Sequence, residues 1–199
     1  MRCEYVSWLR FQSLCTGLCE RIQAAAFRPD AIIGIARGGY MPARVLADLF
    51  GVVNLAALKI EHYRGTRKSR RARITHPLPE GFCGRRVLLV DDVSDSGDTF
   101  DAALDHLAGR AGIGEVRTAV LHHKVTSAYV PDFCVRRVVA WRWIIYPWAL
   151  AEDLPALLEG LTDRPASVDE LAESLRERYA LKIPRAALGG VAGCLETGR

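Results

Sequence analysis

The segment that most constrains this chain is Val87-Leu88-Leu89-Val90-Asp91-Asp92-Val93-Ser94-Asp95-Ser96-Gly97-Asp98-Thr99-Phe100. Its first four residues are apolar without alternation, so a strand built from them needs cover on both faces, as in a parallel sheet layered by helices. The run stops at Asp91-Asp92, passes through small hydroxyl and glycine residues, and gives way to a helix over 99–110 with Phe100, Ala103, Leu104 and Leu107 at helical spacing. The same grammar occurs earlier: Ala31 to Ala36 is an isoleucine-rich run, Arg37-Gly38-Gly39 a glycine turn, and Met41 to Phe50 a helical stretch. Two strand–loop–helix units predict an α/β fold with a mostly parallel sheet flanked by helices.

The other segments fit around that frame. Residues 3–26 read as one amphipathic helix or two short ones, and Val52 to Ile60, Glu115 to His122, Arg137 to Val139 and Trp143 to Tyr146 as extended pieces. Tyr63 to His76 reads as a long loop, closed by Pro77, Pro79 and Gly81. Hydrophobic residues make up 50% and charged residues 25%, the balance of a globular chain with one dominant core. A boundary is expected near 153, with 1–153 as the core and 154–199 as a small helical extension: Pro155 to Gly160 is helical, Ser167 can cap a helix whose third following residue is Glu170, and Pro184 can open another. Two short helices with a turn suit a helix-turn-helix-like fragment or a plain cap on the core. The charged start and the lack of an apolar stretch approaching ~18 residues predict a cytoplasmic protein without a membrane span. The six cysteines, mostly scattered singly, are expected to be reduced thiols.

Ligands of open α/β sheets lie beyond the carboxyl ends of the strands, so Asp91 and Asp92 should face a crevice. The loop from Ser94 to Thr99 enters a helix N-terminus, where unpaired N–H groups and the hydroxyls of Ser96 and Thr99 form a nest for one phosphate, and Gly97 lets the backbone approach the oxygens. No lysine lies in the loop, which excludes a nucleoside-triphosphate P-loop. Two acids beside a phosphate nest make sense if the ligand also brings neutral hydroxyls or a cation: a ribose diol, or Mg²⁺ held by Asp91 and Asp92. The alternative is a pair of acids capping a helix on a solvated face, which leaves the hydroxyl-rich loop unexplained.

Residues 90–99 resemble the phosphoribosyl-pyrophosphate signature of the type I phosphoribosyltransferases, and Gly34-Ile35-Ala36-Arg37-Gly38-Gly39-Tyr40-Met41-Pro42-Ala43 resembles that family's pyrophosphate loop. The likeness covers roughly residues 10–150 and is closest to the purine salvage branch, which adds a base-binding hood to the fold. It implies phosphoribosyl pyrophosphate as donor with Mg²⁺ as cofactor, ribose contacts from Asp91 and Asp92, 5′-phosphate contacts over Ser94, Asp95, Ser96, Gly97, Asp98 and Thr99, and pyrophosphate contacts from Arg37, Gly38, Gly39 and Lys59. By the same likeness Lys124 donates to the 6-oxo group of a purine, Trp143 stacks on the base, the Ile144 carbonyl accepts from it, and Asp95 handles the proton at N7. The run from Trp141 to Trp148 could equally be a core strand with its packing. Asp98 departs from the family, which often carries lysine or glutamate there.

The stretch with Arg64, Arg67, Lys68, Arg70, Arg71 and Arg73 falls where the family places a mobile flap; otherwise it is a solvated loop or a nucleic-acid contact. The expected activity is transfer of phosphoribose to hypoxanthine, guanine or xanthine by a homodimer. The second reading is a regulator of the same fold whose C-terminal helices and arginine cluster bind nucleic acid.

Overall fold

The structure is a computed structural model and describes residues 2–63, 71–161 and 165–197. In chain order the elements are β1 (Cys3–Tyr5), α1 (Trp8–Ala24), β2 (Ala31–Ala36), α2 (Tyr40–Phe50), β3 (Leu55–Tyr63), β4 (Arg71–His76), β5 (Gly84–Ser94), α3 (Asp98–Ala108), β6 (Ile113–Lys124), β7 (Phe133–Val138), β8 (Trp143–Ile145), α4 (Leu150–Glu159), α5 (Val168–Tyr179) and α6 (Arg185–Thr197). The chain divides into two compact units, Gln12–Ala140 and a second made of residues 1–11 with 141–199. This differs from the expected cut near 153, because the strand around residue 144 pairs with the N-terminus and not with the large sheet.

The larger unit holds a six-stranded sheet in the order β4-β3-β2-β5-β6-β7. All neighbours are parallel except the edge pair β3 and β4. All six residues of β2 are buried, as a run of branched side chains between two helical layers must be. Odd-numbered Ile33 and Ile35 join Val87, Leu89 and Val120 under Phe100, Ala103 and Leu107 of α3. Even-numbered Gly34 faces the other way, where a Cβ would stand 3.0 Å from Ala43 of α2. Helices therefore cover both faces, α3 on one and α2 on the other, as the period-2 alternation of a strand allows.

Three expectations need correction. Tyr63 to His76 is not one long loop: β3 runs to Tyr63 and β4 returns antiparallel from Arg71, pairing Tyr63 with Arg71 and Glu61 with Arg73. The strand alternates, with Ala72 and Ile74 packed on the core and Arg73 and Thr75 exposed; surrounding arginines hid that period. Residues 64–70, with Arg64, Arg67, Lys68 and Arg70, lie outside the described residues. At the N-terminus, Cys3–Tyr5 form a strand parallel to β8, and the first helix starts only at Trp8. Finally, α4 begins at Leu150 and carries Pro155 inside it.

In the smaller unit, α4, α5 and α6 build a core of their own from Ile145, Leu150, Leu154, Leu157, Leu171, Leu175, Tyr179, Leu181, Ile183 and Leu188. Each such leucine withdraws apolar surface worth about 1.5–3 kcal/mol. The buried Tyr179 hydroxyl donates to the Leu157 carbonyl at 2.9 Å. The expected cap of α5 is present: Ser167 Oγ accepts from the Glu170 N–H at 3.1 Å, while Glu170 Oε2 accepts from the Ala166 N–H at 2.8 Å. No helix of the described residues is long and apolar enough to cross a membrane.

Candidate functional site

The predicted site residues of the larger unit gather at the carboxyl ends of β2, β5 and β6. Parallel pairing of these strands sets their tips side by side, with Gly34 opposite Val90 and Ser94 opposite His123. The strand carrying the acids does not stop at Asp91; β5 continues to Ser94 because β6 beside it continues to Lys124. Asp91 and Asp92 are therefore consecutive strand residues and point to opposite faces of the sheet.

That alternation separates their environments. Asp91 shares a side with Val87 and Leu89, is only 9% exposed, and accepts the Asp92 N–H on Oδ1 at 2.9 Å. Burial, and then the neighbouring Asp92 charge, raises its carboxyl well above the usual carboxylate range, against the pull of that N–H. Asp92 is half-buried on the other side and lies against the glycine turn. A Cβ built on Gly38 would fall 2.5 Å from Asp92 Oδ2 and 2.6 Å from its Cγ and Oδ1. Two segments 54 residues apart in the chain thus meet at one carboxylate.

The glycine turn follows β2. Arg37 is exposed, and the peptide that precedes it is cis. The Gly39 N–H donates to the Ile35 carbonyl at 2.8 Å, which spends inside the turn a donor expected to face pyrophosphate. Gly39 has ordinary helical dihedrals but no room for a side chain: a Cβ would collide with the Val90 carbonyl oxygen and approach the Ile35 N and O to 2.7 Å. Lys59, opposite Ala36 in register, holds Glu61 at 2.5 Å, and that contact lowers the Glu61 carboxyl.

The loop after β5 leads into α3 with Gly97 as the residue before the helix, in the left-handed region at φ +102. The helix N-terminus presents N–H groups that no preceding helical carbonyl can satisfy. Ser96 Oγ donates to Asp98 at 3.1 Å. Ser94 is buried and turned inward, its hydroxyl 2.8 Å from that of Ser127 and donating to the Tyr129 carbonyl at 3.2 Å; it shapes the loop from within. Asp95 is half-exposed, and Lys124, 4% exposed at the tip of β6, donates to it at 2.6 Å. The two residues assigned separately to the purine edge are thus an ion pair across the loop.

In the smaller unit Trp143 and Ile144 lie on β8, paired with Cys3 and Glu4. Trp143 is 41% exposed, and its indole N–H donates to Asp153, whose carboxyl is raised by burial and lowered by that bond. Trp148 stacks on Tyr146 at 4.7 Å and meets Phe11 edge-on at 4.8 Å, so part of the aromatic run is packing. The residues that sequence reading overlooked are Thr118, Ser127, Tyr129 and Asp132, which hold the loop from outside. Their signal is faint: a hydroxyl inside a strand, then Ser127 and the turn former Pro131-Asp132.

A family model described as phosphoribosyl transferase domain matches residues 4–153. The hypoxanthine-guanine phosphoribosyltransferase of Saccharomyces cerevisiae is 28% identical over 190 residues, a match covering 73% of this chain and 85% of the yeast protein. The xanthine-guanine phosphoribosyltransferase of Cereibacter sphaeroides is 25% identical over 153 residues, covering 74% of this chain and 87% of that protein. Among solved structures, the purine phosphoribosyltransferase from Pyrococcus horikoshii superposes with a TM-score of 0.66 at 32% identity over 74% of this chain and 95% of that one. A hypothetical protein from Neisseria gonorrhoeae with bound ppGpp gives a TM-score of 0.64 at 28% identity, over 74% and 90%.

Proposed function

This chain belongs to the phosphoribosyl transferase family, and from that membership we propose that it moves the 5-phosphoribosyl group of phosphoribosyl pyrophosphate onto a 6-oxopurine with release of pyrophosphate. The observation that carries the purine assignment is the Lys124–Asp95 pair, a buried donor and a half-exposed carboxylate 2.6 Å apart beside the phosphate loop. Such a pair suits a ring edge that offers a carbonyl acceptor next to a titratable nitrogen. The named activities of the Pyrococcus, yeast and Cereibacter relatives agree with it.

In the proposed reaction N9 of the purine attacks C1′, the C1′–O bond to pyrophosphate breaks, and the bonding pair leaves with the diphosphate. Lys124 orients the 6-oxo group and Asp95 exchanges the proton at N7; family likeness alone gives Trp143 the role of stacking on the base and the Ile144 carbonyl that of accepting from its N–H. The amides entering α3, with Ser96 and Thr99, bind the 5′-phosphate at a helix N-terminus. Arg37 and the Gly38 amide take the departing pyrophosphate, with Lys59 joining them once it leaves Glu61. Catalysis is alignment and charge neutralisation, without a covalent enzyme intermediate.

Among the described residues no group of three or more His, Cys, Asp or Glu could hold a metal ion unaided. Mg²⁺ fits instead as a passenger of the donor, since it keeps waters and substrate phosphates and needs only one or two protein carboxylates. Asp92 at the glycine turn is the carboxylate that would hold it, with Asp91 bracing Asp92 through the shared N–H; a bound cation there would supply positive charge against the departing pyrophosphate. The nucleic-acid reading gains no support from the tail, where acidic residues outnumber basic ones and α6 carries no cation beyond Arg185.

The test is direct. The protein is incubated with phosphoribosyl pyrophosphate, Mg²⁺ and, in turn, hypoxanthine, guanine, xanthine and adenine, and both pyrophosphate and nucleotide are measured. Turnover with one or more 6-oxopurines in preference to adenine is expected; no turnover with any base, or a preference for adenine, overturns the assignment.

A further inference from the structure

The loop Asp95-Ser96-Gly97 has two acids around it and no cation inside it, so its shape has to be imposed by what surrounds it. The surrounding segment is Ser127–Asp132. Gly97 sits so close to it that a Cβ would stand 2.7 Å from both the N and the Cβ of Tyr129. The Ala128 N–H donates to the Ser96 carbonyl at 3.0 Å, and the Ser94 hydroxyl reaches Ser127 and the Tyr129 carbonyl. The Tyr129 ring lies flat on Phe100 in the first turn of α3, with centroids 4.9 Å apart and planes 14° from parallel.

The ring is itself tied down. Thr118 Oγ1 donates to Asp132 Oδ2 at 2.8 Å, so at its 3.1 Å contact with Tyr129 it must accept, and the phenol is the donor. The Thr118 N–H also donates to Asp132 Oδ2 at 2.8 Å, and the Asp132 N–H returns a bond to Thr118 Oγ1 at 3.0 Å. A closed set of hydrogen bonds on β6 thus fixes one end of a ring whose face fixes the start of α3.

We propose that Tyr129 is a positioning residue of the phosphate loop: its backbone and stacked ring hold Ser96, Gly97 and Phe100 so that the amides entering α3 converge on the 5′-phosphate of the donor. The inference rests on the transferase reading for its ligand, but the bracing itself is independent of it. Loss of the stack should weaken donor binding more than purine binding, because the ring braces Gly97 and Phe100 directly, whereas Asp95, at the far end of the loop, is also held by its 2.6 Å bond to the buried Lys124.

Two variants test this. Tyr129→Leu removes the stack and should raise KM for phosphoribosyl pyrophosphate by about tenfold, the upper end of what one aromatic pair is worth, with kcat and purine KM changed by less than about twofold. Tyr129→Phe keeps the stack and should restore donor KM to within about threefold of the parent protein. An unchanged donor KM in Tyr129→Leu, or an equal rise in purine KM, overturns the proposal. Amide exchange over residues 94–101 without ligand gives a readout apart from activity. Faster exchange in Tyr129→Leu than in the parent sustains the bracing even if no transfer is observed, which would count against the transferase reading alone; equal exchange overturns the bracing whatever the activity. If Tyr129→Leu does not fold, Ser127→Ala, which cuts the Ser94 link, carries both measurements with the same criteria.

Discussion

Gly38 and Gly39 are neighbours, yet the structure predicts opposite fates for their alanine variants. At Gly38 the new methyl would stand 2.5 Å from Asp92 Oδ2 and 2.6 Å from Cγ and Oδ1, about 1 Å inside the ~3.5 Å at which such atoms attract one another. All three offending atoms belong to one short side chain that can rotate away, at about 0.5–1.5 kcal/mol for leaving its preferred rotamer. Gly38→Ala should therefore fold, with a thermal midpoint lowered by only about 1–6 °C. The carboxylate would be displaced by about 1 Å from its place beside the glycine turn, an error that costs about 10²-fold if that turn forms part of the reacting site as proposed. At Gly39 the obstacles are backbone atoms of two strands, the Val90 carbonyl oxygen and Ile35 N and O, which cannot rotate away. Overpacking of that kind costs about 3 kcal/mol or more, or some 10 °C of thermal midpoint. The assay is thermal melting of both variants beside pyrophosphate release with donor varied at saturating purine. Equal loss of stability in the two variants, or a Gly38→Ala protein whose donor kcat/KM stays within about threefold of the parent, would refute the contact between Asp92 and the turn as argued here.

Three further outcomes follow from named contacts. Lys124→Met removes a buried cation and its bond to Asp95; kcat/KM for a 6-oxopurine should fall by about 10- to 100-fold while donor KM and melting temperature hold, and steady-state kinetics with each substrate varied checks it. Because the folded-state carboxyl of Asp91 is raised by burial and by Asp92, its contribution to stability is complete below the ordinary carboxylate range near about pH 4 and is lost as pH rises through the native value. Asp91→Asn should accordingly melt above the parent at neutral pH, with the gap closing on acidification; a gap that widens toward acid reverses the sign and sinks the assignment. Ser167→Ala deletes the side-chain acceptor for the Glu170 N–H and should cost about 1 kcal/mol, seen as faster amide exchange in the first turn of α5.

What could be read from the sequence was local. The strand at 31–36, the helix that follows it, the acid–hydroxyl–glycine loop and the Ser167 cap are each specified by residues within a few positions of one another, so periodicity and end signals suffice. What could not be read depends on a partner far along the chain. The three residues of β1 are too few to show a period and are extended only because β8 is beside them. The alternation of β4 is visible once β3 is known to lie next to it. Lys124 and Asp95 are 29 positions apart, and nothing local to either announces the pair.

The acids at 91 and 92 show the same division within a single motif. Residue type alone says that two carboxylates stand where a ribose or a cation would bind, and treats them as equivalent. Whether they are equivalent depends on where β5 ends, and β5 ends where β6 ceases to pair with it, beyond Ser94. Inside a strand, successive side chains cannot share a face. One acid therefore falls in with Val87 and Leu89, loses its water and holds its proton more tightly. The other meets the glycine turn from the adjacent strand. A β5 that stopped at Val90 would have freed both acids to turn toward one ligand. The extra residues of pairing are what convert a symmetric pair into one buried carboxyl and one carboxylate set against the glycine turn.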